Sequence, residues 1–441
     1  MAKTAVQNLS PYLDAFAERT GEPSWLSDQR RLAIERFSLL GFPTRHDEDY
    51  KYTPLASLAA EGFSTVGKSA RISAGDLARV DYAGNNAVRL VFLDGAFQEG
   101  LSSDLSSLPA GVEVATLKKL LVEDPEKLEG HLTRYSDFES HATTALNTAF
   151  FEDGAYVSVA ENVVAEAPVH IVWVSSAQEA GRVSHPRALV LAGRSAQVMV
   201  VESFISLGEA RYWTNPVTEV VAEANARVRH YKAQTENGAA VHTARYDVLQ
   251  ERDANTLEFS LSYGAKLARN DIRGKLNDEG GECSLDGLYV VGGEQHVDHH
   301  TVLDHAQPHC NSHQLYKGVL DGRSRGVFNG KIFVREGAMK TDAVQNNKNL
   351  LLSNEAEIET KPQLEIFNND VRCTHGATVG QLDREAMFYL LARGIGRAQA
   401  RSLLTYAFAA DALERIELEP LKKHFEGELM RALAADPEAT L

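Results

Sequence analysis

The densest concentration of chemically capable side chains is the run QHVDHHTVLDHAQPHCNSHQLYKG, which begins at Gln295. It holds His296, Asp298, His299, His300, Asp304, His305, His309, Cys310 and His313, and six of the chain's fifteen histidines fall within the eighteen residues 296–313. Imidazole, carboxylate and thiolate are the usual ligands of divalent metals. On a strand, alternation sends His296, Asp298 and His300 to one face. Groups spaced about 7 Å apart along one strand do not converge on an ion without a bend. Two readings stand: an outward polar ladder that satisfies neighbouring backbone, or a polar cluster of His296, His300, His305, His309 and Cys310 serving a metal or an interface.

The second candidate is Cys373-Thr374-His375, inside NNDVRCTHGATVG. Residues at i and i+2 of a strand share a face, so thiol and imidazole can approach one ion or cluster. Two donors are too few for zinc or cluster iron, which take four. Other parts of the chain, or another chain, would have to supply the rest. A Cys–His nucleophile is the rival, and it needs an orienting group and an oxyanion hole that nothing in the sequence supplies. An inert packed cysteine beside a surface histidine is the third reading.

Nucleotide chemistry is not expected on this chain. GFSTVGKS at Gly62 matches the letters G-x-x-x-x-G-K-[ST], but it follows the helix-like LASLAAE rather than a strand, and ARGIGRAQ at Ala392 likewise follows a helical pattern. The formal net charge of −16 opposes nucleic acid and anionic membrane as partners. No apolar run is long enough for a membrane span. The opening MAKTAVQNLSPYLDAF lacks a basic stretch followed by an apolar one, so no secretory signal is expected. Three widely spaced cysteines without CxxC fit a reducing, cytoplasmic compartment.

The elements that must position these residues fall into three textures. Residues 1–154 read as mostly helical. Ser10 can cap a helix with Pro11 in its first turn. A second helix runs from about Ser27 to Leu40, with Ala33, Phe37 and Leu40 on one face and Gly41 as its stop. NAVRLVFLDGAFQ (86–98) reads as a hairpin, and residues 116–150 return to helical spacing with Leu117, Leu120, Leu121, Leu128 and Leu132 as the stripe. Residues 155–380 are short alternating strands, such as YVSVA, VHIVWV, RVRHY and TLEFSL. A similar unit recurs as GRSAQVMV, EANARVRHY, RDANTLEFS and EGGECSLDG, placing Val198, Val228, Leu257 and Leu285 roughly thirty residues apart, in the range of solenoids. A strand–turn rung cannot bury its apolar face alone, so the rungs must stack, and a parallel β-helix is favoured over a sandwich. Residues 381–441 are helical again: Asp383 caps a helix to Leu391, Gly394 and Gly396 break it, and Arg397 to Leu413 forms the next, with Leu403, Leu404, Ala407 and Phe408 as its apolar side.

The segment from Val327 to Leu413 closely resembles the SufB/SufD family of iron–sulfur cluster assembly proteins, above all in NNKNLLLS, TKPQLEI, DVRCTHGATVG and the helix pair after Asp383. GFPTRHDEDYKYTPL is similar to the SufD-type lead-in, with Tyr50 where tryptophan is more usual. Low cysteine count and length favour the SufD branch. The resemblance implies a right-handed parallel β-helix flanked by N-terminal and C-terminal helical domains. It implies a SufB-like partner on the β-helix, a SufC-like ATPase on the C-terminal helices, and self-pairing when alone. For the ATPase it points to Tyr389, Arg393, Gly394, Arg401, Leu404 and Phe408. His375 is implied to help hold a nascent cluster at the seam with the SufB-like chain, with Cys373 beside it. The expected role is a non-catalytic scaffold that binds no ATP and keeps no cofactor of its own. The rival is a metal-dependent β-helix enzyme using residues 296–313.

Overall fold

The computed structural model describes residues 7–16, 21–65, 70–84 and 86–434. Its α-helices are α1 (Ser10–Leu13), α2 (Ser24–Leu40), α3 (Leu58–Glu61), α4 (Leu117–Glu123), α5 (Glu126–Glu129), α6 (Ala142–Phe150), α7 (Arg384–Ala392), α8 (Arg397–Leu413) and α9 (Glu419–Ala434). Ser10 does not cap α1. Leu9 occupies the cap position, and the Ser10 amide donates instead to Asn8 Oδ1 at 3.2 Å. In α2 the buried face is Leu26, Arg30, Ala33, Ile34 and Phe37, while Leu40 is left exposed. Gly41 ends α2 at φ +62, and its amide donates to the Phe37 carbonyl at 2.8 Å.

The expected hairpin forms between Val88–Leu93 and Ala96–Phe97, turning through Asp94 (φ +49) and Gly95 (φ +86). Residues 116–150 are only partly helical. Val112–Thr116 is a strand, and α4, α5 and α6 follow with coil between them.

Two mainly parallel sheets form a β-solenoid of about eight turns. The first runs from the Val88–Leu93 hairpin to Arg372–Gly380, the second from Val112–Thr116 to Glu357–Ile366. The segments 88–93 and 112–116 of the first texture thus join the sheets. Through the regular rungs successive strands alternate between sheets, so each rung extends both. The recurring sequence unit is the corner of each rung. Ser195, Asn225, Asp253, Gly280, His309 and Lys340 all have positive φ. Each of their amides donates to the next rung's corner, as Ser195 to Ala224 and Asn225 to Arg252. A small residue follows each: Ala196, Ala226, Ala254, Gly281, Cys310 and Thr341. Asparagine and aspartate tolerate this backbone better than most residues, which explains their recurrence.

The rungs are unequal in length. Val198 and Val228 stack, but the column then continues through Thr256, Cys283, Ser312, Ala343 and Cys373, so Leu257 and Leu285 lie outside it.

The terminal regions clasp opposite outer faces. α2, α6 and the N-terminal loops pack on the second sheet around Trp213, which Tyr12, Phe42 and Phe63 surround. α8 and α9 lie on the first sheet, where Ala409, Ala412, Leu413, Ile416, Phe425 and Leu429 meet Val201, Tyr231, Phe259, Leu261 and Leu288. Ion pairs fasten this contact: Arg229 Nε to Glu417 at 2.9 Å, Arg227 to Glu417 at 3.0 Å and Lys317 to Asp411 at 2.6 Å. No described helix is long and apolar enough to cross a membrane.

Candidate functional site at the open end of the solenoid

The last rung is uncovered. Arg372–Gly380 pairs on one side with Asp342–Leu351, and Glu357–Ile366 on one side with Arg325–Val334; each is the edge of its sheet. An edge strand presents a row of unpaired N–H and C=O groups, ready for another strand. Burial changes accordingly. Lumen-facing residues of earlier strands are buried, while every residue of these two strands is half-buried or exposed.

Cys373 and His375 share the lumen side of this edge strand, as their spacing required. Cys373 stacks over buried Ala343 and packs against the main core, and His375 stacks over buried Gln345 and is itself exposed. Burial, with Asp342 adding repulsion, pushes the Cys373 thiol up. A thiol raised in this way is protonated at neutral pH, which opposes the nucleophile reading. The mouth therefore offers one accessible imidazole and one half-covered thiol, short of a complete site.

The histidine run separates rather than gathers. His296, Asp298 and His300 do share the outer face of the second sheet, beneath the N-terminal lead-in. His296 Nε2 meets Thr53 Oγ1 at 2.9 Å, and His300 Nε2 meets Asp298 Oδ1 at 3.2 Å. Asp298 also accepts from Arg269 Nη1 at 2.8 Å. Burial alone would raise the Asp298 carboxyl, but the Arg269 charge overrides it and holds it well below the usual range. His299 and His305 face the lumen, against Ser262 at 3.3 Å and Ser312 at 2.8 Å. Burial lowers them to about 3 and about 4, so both are neutral. His309 is a corner residue at φ +59, and Cys310 is the small buried residue after it, its Sγ 3.3 Å from the Asp278 carbonyl. The proposed cluster of His296, His300, His305, His309 and Cys310 thus does not assemble, because alternation and the corner send its members to three places. Among the described residues no three His, Cys, Asp or Glu side chains gather where they could hold a metal ion. The enzyme reading loses its site.

The helical candidates divide as well. α7 has no buried residue, Tyr389 is 56% exposed with Arg393 Cζ 4.3 Å above its ring, and the neighbouring Phe388 is 72% exposed. Gly394 at φ +83 ends the helix. Arg401 instead pairs with Asp321 of the solenoid at 2.6 Å. Phe408 is half-buried there, with Lys317 Nζ 4.8 Å above its ring and 2.7 Å from its carbonyl, and Leu404 is half-buried. Sequence reasoning missed Phe388, which lies beside Tyr389 on the exposed side of α7, away from the half-buried Met387, Leu390 and Leu391. It also missed Arg269, which carries the outer-face network.

The family description "SUF system FeS cluster assembly, SufBD core domain" matches residues 173–408, and "SufBD protein N-terminal region" matches residues 12–171. The chain belongs to the SufBD family. It is 32% identical to the iron–sulfur cluster assembly protein SufD of Escherichia coli, over 90% of each chain. It is 31% identical to a SufBD family protein of Synechocystis, over 91% of this chain and 90% of that one. The SufD of Bacillus subtilis is 27% identical over 93% and 95%. Within the SufBD core match lie the whole open rung, α7 and the solenoid-facing start of α8. Membership gives the chain a role in iron–sulfur cluster assembly by the SUF system, and the two edge strands are its most exposed strands within that core.

Proposed function

We propose that this chain is a non-catalytic scaffold subunit of a SufBCD-type complex. Its open rung pairs with the corresponding rung of a SufB-like chain, and the same edges allow self-pairing when it is alone. The uncovered pair of edge strands carrying Cys373 and His375 is the observation that supports this most. Two donors at an open edge suit a site completed from across a seam, with His375 as the accessible ligand and Cys373 secondary. Iron or the forming cluster is cargo here, passed through rather than retained. A SufC-like ATPase docks on the exposed side of α7 at Phe388, Tyr389 and Arg393, and ATP stays on that chain. Because α8 and α9 are pinned to the first sheet, a push received there moves the solenoid as one body, with α7 pivoting at Gly394-Ile395-Gly396. Three free cysteines and no disulfide suit a reducing compartment such as the cytoplasm.

Co-expression with SufB-like and SufC-like chains from the same genome tests the proposal through stoichiometry, iron and sulfide. A stable complex should form, and His375→Ala should keep the complex while losing most of its iron. Wild-type iron in the variant complex overturns the ligand role. Purification of this chain alone, with its candidate partners present, overturns the scaffold role.

A further inference from the structure

The lumen of the solenoid is not an oily core. Around the strands Arg227–Thr235, Val241–Gln250 and Asn255–Ser262, four polar side chains turn inward: His230, Lys232, Tyr246 and Glu258. They are 1%, 7%, 5% and 1% exposed. They line a small internal cavity, of about 10 Å³ at the centre of a water-sized sphere, together with Glu202, Phe204 and Asn270. That size sits at the threshold for one water molecule.

Their hydrogen bonding is incomplete in a complementary way. Glu202 is satisfied, accepting from Trp173 Nε1 at 2.8 Å and Thr218 Oγ1 at 2.7 Å. Its second oxygen also meets His230 Nε2 at 2.9 Å, which places the imidazole proton on that nitrogen. In the ring with a single proton His230 Nδ1 is then an acceptor, and it has no protein partner. Burial pushes the Glu258 carboxyl well above the usual range, and as the carbonyl oxygen of the neutral acid its unpartnered Oε2 is a second acceptor; the Tyr246 hydroxyl has no partner either. Lys232 Nζ spends one of its three donors on Asn270 Oδ1. The lining thus holds two free acceptor atoms and two donor groups, Lys232 and Tyr246, a set that a single water can complete.

Aromatic rings flank the chamber on both sides along the solenoid. Toward the open rung, Tyr289, His299, Tyr316 and Phe328 stack with successive ring centroids 5.2 Å apart. Gly287 and Gly318 make room for this plug, since a Cβ at either would run into the Tyr316 or Tyr289 ring. Toward the other end, Phe204 stacks on Trp173. We propose that a sealed water molecule is a built-in part of this lumen, accepting from Lys232 and Tyr246 and donating to Glu258 and His230. The acid–base cluster is then a hydrated chamber that stabilises the middle rungs, separated by aromatic rings from the Cys373–His375 mouth.

Two measurements on the full chain decide it. A high-resolution crystal structure should show one ordered peak within hydrogen-bond distance of Glu258 and Tyr246. A dry chamber, or Lys232 collapsed directly onto Glu258, overturns the proposal. Tyr246→Phe reads the same question in solution without removing charge. A phenol bonded to trapped water stabilises the fold, so its loss should lower the denaturation midpoint. A buried hydroxyl left dry is a penalty, so an unchanged or raised midpoint overturns the proposal.

Discussion

Replacing Arg269 with methionine should cost about 3–5 kcal/mol, the range for breaking a buried ion network by removing one partner. The arginine is 1% exposed. It donates to Asp298 Oδ2 at 2.8 Å, to Asp271 at 2.8 and 3.1 Å, and to the Asp49 carbonyl at 2.7 Å. Its Cζ also sits 4.2 Å over the Tyr50 ring. Methionine keeps much of the volume but leaves two buried carboxylates without their counter-charge. An exposed pair would cost under about 1 kcal/mol, so the two cases are separable. The assay is urea denaturation at pH 7, with hydrogen exchange following residues 45–55. The double variant Arg269→Met/Asp298→Asn should regain part of the loss, since it removes one stranded charge. The pH dependence has a definite sign. Asp298 is held below its unfolded value, near 4, so its stabilising contribution is present above that pH and is lost as pH falls through the folded value. The gap between wild type and variant should therefore shrink below about pH 4. A cost below about 1 kcal/mol with the lead-in still protected refutes the view that the histidine run anchors the N-terminal region.

Tyr389→Asp, or Phe388→Asp, should abolish capture of the ATPase partner without moving the denaturation midpoint, because α7 buries nothing; a falling midpoint contradicts that. Gly318→Ala should destabilise by about 1–3 kcal/mol through overpacking against Tyr289, measured by urea titration, and a neutral effect contradicts the aromatic plug. Acid should act early. His170, His299 and His305 are buried and lowered to about 3, about 3 and about 4, while the unfolded chain protonates them near pH 6.5. The unfolded state then binds more protons below that pH, so stability should fall between pH 7 and pH 5; a flat profile over that span contradicts the burial of neutral imidazoles.

The solenoid was legible because its corner is written in sequence: a left-handed Ser, Asn or Asp, a small residue, then a strand. The register was not, because rung lengths vary, and a fixed period drifts from Thr256 onward. Hydropathy misleads in a closed solenoid. Glu202, His230, Lys232 and Glu258 are polar, yet they share the parity of Val198, Val228 and Thr256 and so enter the lumen. Parity did place Cys373 and His375 together, since a two-residue spacing holds in any strand. What parity cannot tell is that their strand is the last one, and that fact alone makes His375 accessible. On α8 the bulky Leu404 and Phe408 marked an apolar side, but the buried residues are Ala400, Thr405, Ala409, Ala412 and Leu413, all but the last of them small. Small side chains let a helix lie close to a sheet, and size-weighted pattern reading ranks them too low.

Amide hydrogen exchange across residues 357–380 tests the central claim most directly, with the chain alone at low concentration compared against the co-purified complex with the SufB-like partner. The account predicts fast exchange at the outer edge of Arg372–Gly380 in the isolated chain and strong protection there in the complex. The same fast exchange in both would contradict pairing through the open rung, and with it the placement of His375 at a shared seam.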